Sequence, residues 1–407
     1  MFRARRLRRP DRVLGFLGIL LGSLILVPGC EKKGGASSGE TSPAAREIEI
    51  PVYPKVAAKP VDVGALDFKI GILTGTVSQG EDEYRGAEYV VRKYGSDKII
   101  HKTYPDNFMT EQETTVTQIT EMAKDPAVKA IIVAQAVPGT LPAIKKVRRE
   151  RDDVIFLLVA PQEDPEQIAQ YADLAIQTDD LMRGKTIVEK AKSMGAKTFI
   201  HYTFPRHMSM KILADRRDIM RRVCEENDME FVVANAPDPT GDQGIAGSQK
   251  FVLEDVPRKI EAYGKDTAFF STNCSMQEPL IRAALEGGAI FPEQCCPSPT
   301  HGYPGALGIS ISEDMAGDMA KIREEIGRRI DERGFRGRFG TWATSIHIVM
   351  IEACVELAKG AVHDKLELTD LGVIKWVLET TGGIKVELGP FAGHDNFVMT
   401  ISENLTL

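Results

Sequence analysis

Residues 68–88 read "FKIGILTGTVSQGEDEYRGAE". The stretch opens on a short apolar run, with β-branched Ile70 and Ile72 around a glycine, and turns polar after Gly75. A run of this length bounded by glycine predicts a buried strand (68–75) followed by a loop (74–86). The same unit recurs as "KIIHKTY" (98–104), "KAIIVAQA" (129–136), "VIFLLVA" (154–160) and "DLAIQT" (173–178). Between these runs lie stretches of helical period. In "EQETTVTQITEMAK" (111–124), for instance, Val116, Ile119 and Met122 share one face. Strands alternating with helices predict βαβ units and a parallel sheet covered on both faces.

The rhythm then restarts. Strands are expected at "KTFIHYTF" (197–204), "EFVVANA" (230–236), "TAFFSTN" (267–273) and "GGAIFPE" (287–293). A helix over 207–227 aligns Ile212, Ile219, Met220, Val223 and Cys224, and one over 313–332 aligns Met315, Met319, Ile322, Ile326 and Ile330. Further helices are expected at 343–359, ending at Gly360, and at 368–383, capped by Thr369 and stopped by Gly382. The fold class is therefore α/β, with two doubly wound, Rossmann-like lobes joined by a hinge. Lobe one is expected at 67–178 and lobe two at 179–311. A return to lobe one is expected at 312–365, with 366–407 completing the lobes and crossovers near 177–183 and 305–312.

In open parallel sheets, ligands sit beyond the carboxyl ends of the strands. Two facing lobes would line one cleft with their strand-end loops, which here are rich in Gln, Asn, Thr, Asp, Tyr and Arg. Such side chains offer both donors and acceptors to a small hydroxylated or heterocyclic solute. The candidates are Thr76, Gln79, Gln135 and Gln162 in lobe one, and Tyr202, Arg206, Asn235 and Asp238 in lobe two. Tyr84 and Arg85 would stack on and clamp a ligand, or else form a helix face over the strand edge. Asp179 and Asp180 would accept from hydroxyls, or else serve as an ordinary acidic pair at a helix N-terminus. Pro237 and Pro239 give Asp238 a turn reading as well.

Three stretches resemble a known family: residues 68–88, "DLAIQTDDLMRGKTIVEKA" (173–191) and "AFFSTNCSMQEPLIRAALEGG" (268–288). Over about residues 67–407 the chain is similar to the type I periplasmic-binding-protein fold. More narrowly, it resembles a domain-of-unknown-function family of bacterial lipoproteins within that superfamily. The resemblance implies strand and cleft loop in the first stretch, crossover in the second, and strand, polar tip and helix in the third. It adds Asn273 to the candidates. Sugar-binding members carry an aromatic pair after the first strand and Asn-Asp after the strand matching 267–273. Here Val77, Ser78 and Gln79 take the first place, and Cys274 follows Asn273. The departure argues against a simple hexose or pentose. The loop "SQGEDEYRGAE" is nearer in shape to nucleoside-binding lipoproteins, without their aromatic-asparagine pair.

The N-terminus fixes the expected location. Six arginines between Arg3 and Arg12 precede an apolar stretch from Val13 to Val27. Its 15 residues fall short of the roughly 20 of a membrane span and match the apolar core of a signal peptide. "LVPGC" (26–30) resembles the bacterial lipobox, which implies that residues 1–29 are removed and that Cys30 is lipidated. Each buried lipid methylene contributes about 0.8 kcal/mol, so a lipidated cysteine anchors without a transmembrane helix. Residues 30–66, glycine- and serine-rich at their start, then read as a flexible tether on the extracytoplasmic side.

Composition is ordinary for a globular chain of 407 residues, 43% hydrophobic and 27% charged. Residues 1–29 hold six arginines against Asp11 alone. Without them the chain carries 45 basic and 57 acidic residues, a net of −12. That balance repels phosphate backbones and argues against nucleic acid. The remaining cysteines are Cys224, Cys274, Cys295, Cys296 and Cys354; an odd set with two adjacent is a poor disulfide framework, and without CxxC spacing no zinc ribbon is expected. "DDLMRGKT" (179–186) lacks the first glycine of a P-loop, "GTVSQG" (75–80) is no nucleophile elbow, and HExxH is absent. Cys274 near a cleft has no partner histidine indicated by spacing. The expectation is a binding protein with no catalytic residue, cofactor or metal site. It would capture a small polar solute, nucleoside-like or otherwise hydroxylated, for an ABC permease, with the membrane engaged only through lipid. The alternatives are a co-receptor for a membrane sensor and a surface hydrolase or thiol enzyme.

Overall fold

A computed structural model describes residues 48–407 except 313, 314 and 316. The expected signal peptide and Cys30 lie outside the described residues. The first lobe runs β1 (Lys69–Thr74), α1 (Val77–Tyr94), β2 (Ile99–Thr103), α2 (Gln112–Ala123), β3 (Val128–Ala134), α3 (Thr140–Glu150), β4 (Ile155–Val159), α4 (Pro165–Tyr171) and β5 (Leu174–Thr178). The second runs α5 (Asp180–Ser193), β6 (Thr198–Thr203), α6 (Pro205–Ser209), α7 (Lys211–Glu226), β7 (Glu230–Asn235), α8 (Gly244–Tyr263), β8 (Thr267–Ser271), α9 (Gln277–Gly287), α10 (Tyr303–Leu307) and α11 (Met319–Asp331). After β9 (Gly340–Trp342) come α12 (Ile346–Val362), α13 (Leu371–Gly382), β10 (Glu387–Phe391), β11 (His394–Ile401) and β12 (Asn404–Thr406).

Two sheets form the centres. The larger has the order β10-β11-β5-β4-β3-β1-β2 and is parallel except for β10 against β11; the smaller is β7-β6-β8, all parallel. The aliphatic runs in the sequence are their central strands, covered on both faces. Ile70, Ile72, Ile132 and Leu157 face α1, α12 and α13, while Leu73, Ile131, Val133 and Leu158 face α2 and α3. In lobe two, α5 and α7 close one face and α8 to α11 the other. Gly184 lets α5 lie close on α7: a Cβ there would stand 2.9 Å from Ile219 and 3.0 Å from the Arg216 carbonyl.

Several expectations need correction. The polar stretch after β1 is helix from Val77, because the face α1 buries is itself partly polar (Gln79, Asp82, Glu83) and leaves no apolar stripe to read. The strand expected at 287–293 is reduced to single bridges, Ala268 to Ile290 and Phe291 to Phe339. The cap of α13 is Asp370, which accepts from the Gly372 and Val373 N–H groups, rather than Thr369. The return to lobe one falls later than expected. Ile322, Ile326 and Ile330 of α11 bury themselves in lobe two, and only from Trp342 and Ile346 does the chain join the first core. The second crossover is therefore 342–346 rather than 305–312. A third joins β11 to β12, which pairs with β9.

The body also begins before residue 67. Ile48 and Ile50 pack on lobe two, Val56, Val61 and Val63 on lobe one, and the Lys59 N–H donates to the Gly372 carbonyl at 2.9 Å. Of the expected 30–66 tether, residues 48–66 are thus laid along the folded body.

Candidate functional site

The strand ends of both lobes converge on a cavity of about 390 Å³, a size suited to a small organic ligand. Its two ends differ in chemistry. At one, Gln135 and Gln162 follow β3 and β4, and Arg206 stands in α6 just after β6. Gln162 Nε2 donates to Gln135 Oε1 at 2.7 Å. Gln135 Nε2 donates in turn to the Gln79 carbonyl at 3.1 Å and to Glu83 Oε1 at 3.3 Å. Arg206 spans the lobes: it grips Asp238 through two bonds of 2.8 and 3.1 Å, reaches Gln162 at 3.4 Å, and lies over the Phe108 ring. Gln135, Ala136 and Ala160 hold positive φ of 58°, 30° and 49°. Non-glycine residues pay for that conformation, and the surrounding sheet must impose it. The Gln135 and Ala160 N–H groups donate to the Val159 and Ile176 carbonyls, which fixes both turns.

Beneath the cavity runs a buried ionic lattice. Arg183 donates to Asp180 at 2.7 Å, to Glu293 at 2.8 Å and to the Gln294 carbonyl at 2.8 Å, and Arg216 shares the same Asp180 oxygen. Glu293 is completed by Trp342 and Asn404. Gln177 and Arg216, which line the cavity, each bury a polar atom (Oε1 and Nε) that has no hydrogen-bond partner among the described residues.

The other end is made of thiols and imidazoles. Cys274 follows β8, and Cys295 and Cys296 lie on the irregular segment between α9 and α10. Their sulfurs form a triangle of 3.4 Å (274–296), 3.5 Å (274–295) and 3.7 Å (295–296). His301 places Nδ1 3.0 Å from the Cys296 carbonyl. His347, near the start of α12, places Nδ1 2.7 Å from Glu83 Oε1 and a ring nitrogen within 4.8 Å of the Cys296 sulfur. Glu83, 1% exposed, therefore touches both ends. Thr300 Oγ1 donates to Asp82 at 2.9 Å, a further contact between the segment and lobe one.

Charge is redistributed in this cluster. Hydrogen bonds from Cys274 and then Cys295 hold the Cys296 thiol well below its usual range, with His347 adding to the effect against the opposing influence of burial. Cys274 is pushed well up by its bonds to the other two thiols, and burial pushes Cys295 well up. Burial alone would lower His347, but the charges of Cys296 and Glu83 outweigh it and raise the imidazole well above its ordinary value. Burial lifts Asp82 to about 6.

A model of the family described as "Protein of unknown function (DUF3798)" matches residues 68–340. The chain belongs to the DUF3798 family. Two uncharacterized proteins of Treponema pallidum (strain Nichols) are similar to it. One is 36% identical over 181 residues, 43% of this chain and 82% of the relative; the other is 34% identical over 216 residues, 53% and 97%. A crystal structure of a transcriptional-regulator candidate from Clostridium difficile 630 superimposes with a TM-score of 0.68 at 27% identity, covering 86% of this chain and all of that one. An ABC transporter periplasmic solute-binding protein from Actinobacillus succinogenes 130z, with bound D-allose, gives 0.51 at 13% identity over 74% of this chain and 93% of that one. A sugar ABC transport substrate-binding protein from Bordetella parapertussis 12822 gives 0.51 at 12%, over 88% and 91%. These likenesses establish the type I periplasmic-binding-protein fold of this DUF3798 chain.

Of the thirteen ligand-site candidates, the cavity gathers Gln135, Gln162, Asp180, Arg206 and Asn273. Asp238 stands behind Arg206. Asn273 also caps the turn that carries Cys274, accepting from the Ser275 N–H at 2.9 Å. The others face elsewhere. Thr76 and Gln79 bond Asp106, Tyr202 donates to Asp255 at 2.9 Å in the lobe-two core, Asn235 is exposed, and Asp179 caps α5 through the Met182 N–H. Tyr84 meets His101 edge-on, and Arg85 pairs with Glu81 and Glu88 on the outer face of α1. Sequence reasoning missed Glu83, Arg216, Cys295, Cys296, His301 and His347. The adjacent cysteines were the visible signal; their histidine partners had none, being separated from Cys274 by 27 and 73 positions.

Proposed function

We propose that this protein is an extracytoplasmic solute-binding lipoprotein. Its lobes close on a small polar ligand, hydroxylated or heterocyclic and about the size of a nucleoside, and Cys30 tethers it to the membrane by lipid. The carrying observation is the convergence of both lobes' strand ends on one polar cavity, where Gln177 Oε1 and Arg216 Nε lack partners. Buried polar atoms without partners are costly, and a ligand that bonds them recovers that cost. Closure would turn on the three crossovers at 178–180, 342–346 and 401–404, with Arg206 and Thr300 reaching across. Delivery to an ABC permease is the use this fold has in the solute-binding proteins named above. No helix among the described residues is long and apolar enough to cross a membrane; the assignment of the anchor to Cys30 rests on the lipobox resemblance of residues 26–30.

The test is a thermal-shift screen of the full chain in detergent, unfolded and refolded to strip any carried ligand, against sugars, polyols, nucleosides and amino acids. A ligand at about 100 times its Kd stabilises the folded state by about 2.7 kcal/mol. One solute class raising the midpoint is the expected result; silence from a demonstrably refolded chain would sink the reading. Mass analysis of the N-terminal peptide checks the lipid on Cys30. A second reading, a thiol enzyme, draws on the Cys296–His347–Glu83 alignment, in which a base stands near the thiol and a carboxylate orients the base. Hydrolysis of thioester or ester substrates that is lost in Cys296→Ser would favour it.

A further inference from the structure

We propose that the thiol end of the cleft is a binding site for one soft, thiophilic d10 cation, Zn(II) or Cu(I), held by Cys274, Cys295 and Cys296 with an imidazole and bridging the two lobes. Three observations carry this. The first is metric. The sulfurs are 3.4 to 3.7 Å apart, far from the roughly 2.05 Å of a disulfide. They approach the edge of about 3.8 Å expected of a tetrahedron with metal–sulfur bonds of about 2.3 Å. An ion at that bond length from all three would sit about 1 Å out of the sulfur plane.

The second is the donor set. The ligating atoms of Cys274, Cys295, Cys296 and His301 lie within 4.8 Å of one another, as do those of Glu83, Cys296 and His347. Thiolates with imidazole select soft or borderline ions over magnesium or calcium. The third is the backing of the histidines. His301 has Nδ1 against the Cys296 carbonyl at 3.0 Å, and His347 has Nδ1 against Glu83 at 2.7 Å, which leaves the other ring nitrogen of each for a ligand. Metal-binding histidines are oriented in this way.

The lobes enter asymmetrically. The thiols and His301 come from lobe two, His347 and Glu83 from lobe one. An ion that recruits His347 therefore ties the lobes together. Glu83 contacts both ends, but the ligating thiols are distinct from the amide-end groups, so metal and organic solute can be assayed separately.

The test uses the full chain in detergent, reduced under argon and stripped with a chelator. Cobalt(II) titration should show one equivalent per chain, with thiolate-to-cobalt charge-transfer and tetrahedral d–d bands. Zinc should displace the cobalt, and competition with chromophoric chelators for Zn(II) and for Cu(I) identifies the preferred ion. Glu83→Gln should weaken binding about 10- to 100-fold while leaving the charge-transfer bands in place. Cys296→Ser should weaken it further and reduce those bands. Should the serine variants fail to fold, the unaltered chain still decides. Bound metal should protect Cys274 and Cys296 from iodoacetamide and leave Cys224 and Cys354 as they were.

Three results would overturn the site: no stoichiometric uptake of any of the three ions, uptake that survives replacement of all three cysteines by serine, or rapid Cys296 alkylation that metal does not slow. The last would favour the thiol-enzyme reading. A solute shift that persists in the triple-serine variant without metal uptake would leave the solute-binding reading intact, so the two proposals fail separately.

Discussion

The two ends of the cavity were built by different means. At the amide end, Gln135, Gln162 and Arg206 each follow the carboxyl end of a parallel strand, so the βαβ topology delivers them to one place. At the thiol end, Cys274 follows a strand in the same way. Cys295, Cys296 and His301, however, ride an irregular segment, while Glu83 and His347 come from helices α1 and α12. The amide end is a chain of neutral and charge-assisted hydrogen bonds that fixes orientation. The thiol end concentrates polarizable donors whose near neighbours are one another. Regular topology supplies recognition groups; close convergence of unrelated segments supplies a dense set of ligating atoms.

That contrast can be attacked from its foundation. Arg183 is buried and holds Asp180, Glu293 and the Gln294 carbonyl, next to Cys295. Arg183→Met leaves the buried Glu293 without its cation and Asp180 with Arg216 alone, and should cost about 3–5 kcal/mol. Denaturant unfolding with an unchanged slope would show it, and the loss should fall on the thiol end first.

The lobes beneath the two ends also differ. Lobe two buries His201 against the Phe231 and Phe270 rings, with neither ring nitrogen hydrogen-bonded. Burial, reinforced by Arg216 and Arg217, pushes it down to about 3 from 6.5. The folded state therefore keeps it neutral while the unfolded chain takes up a proton. Its contribution to stability is complete above pH 6.5 and is lost as pH falls toward 3. At pH 4.5 the loss is on the order of 3 kcal/mol. His201→Leu should flatten that acid limb in a pH series of melts, and a slope that stays unchanged would refute the assignment.

Gln135→Ala removes the amide that donates to Gln79 and Glu83 and accepts from Gln162. It should weaken solute binding by about 1 kcal/mol, roughly fivefold, with cobalt stoichiometry unchanged. Equal damage to both assays would mean that the ends are one site. Arg85→Ala, on the outer face of α1, should change stability by less than about 0.5 kcal/mol and neither binding assay.

Periodicity in the sequence determined the two-lobed α/β fold, because central parallel strands must be aliphatic on both faces and helices between them must carry an apolar stripe. It also placed Gln135, Gln162 and Arg206, since a strand's carboxyl end is fixed by local pattern, while Asn273 came from the family resemblance. It misjudged α1, where the buried face carries Gln79, Asp82 and Glu83, and it misplaced the second crossover, because the α11 stripe fits either lobe equally well. Tertiary structure alone decided the thiol end. Cys274, Cys295, Cys296, His301 and His347 share no spacing or period. Their convergence depends on how far the chain travels through lobe two before Trp342 and Ile346 return it to lobe one, and that distance is set by packing between segments rather than by any local preference of the chain.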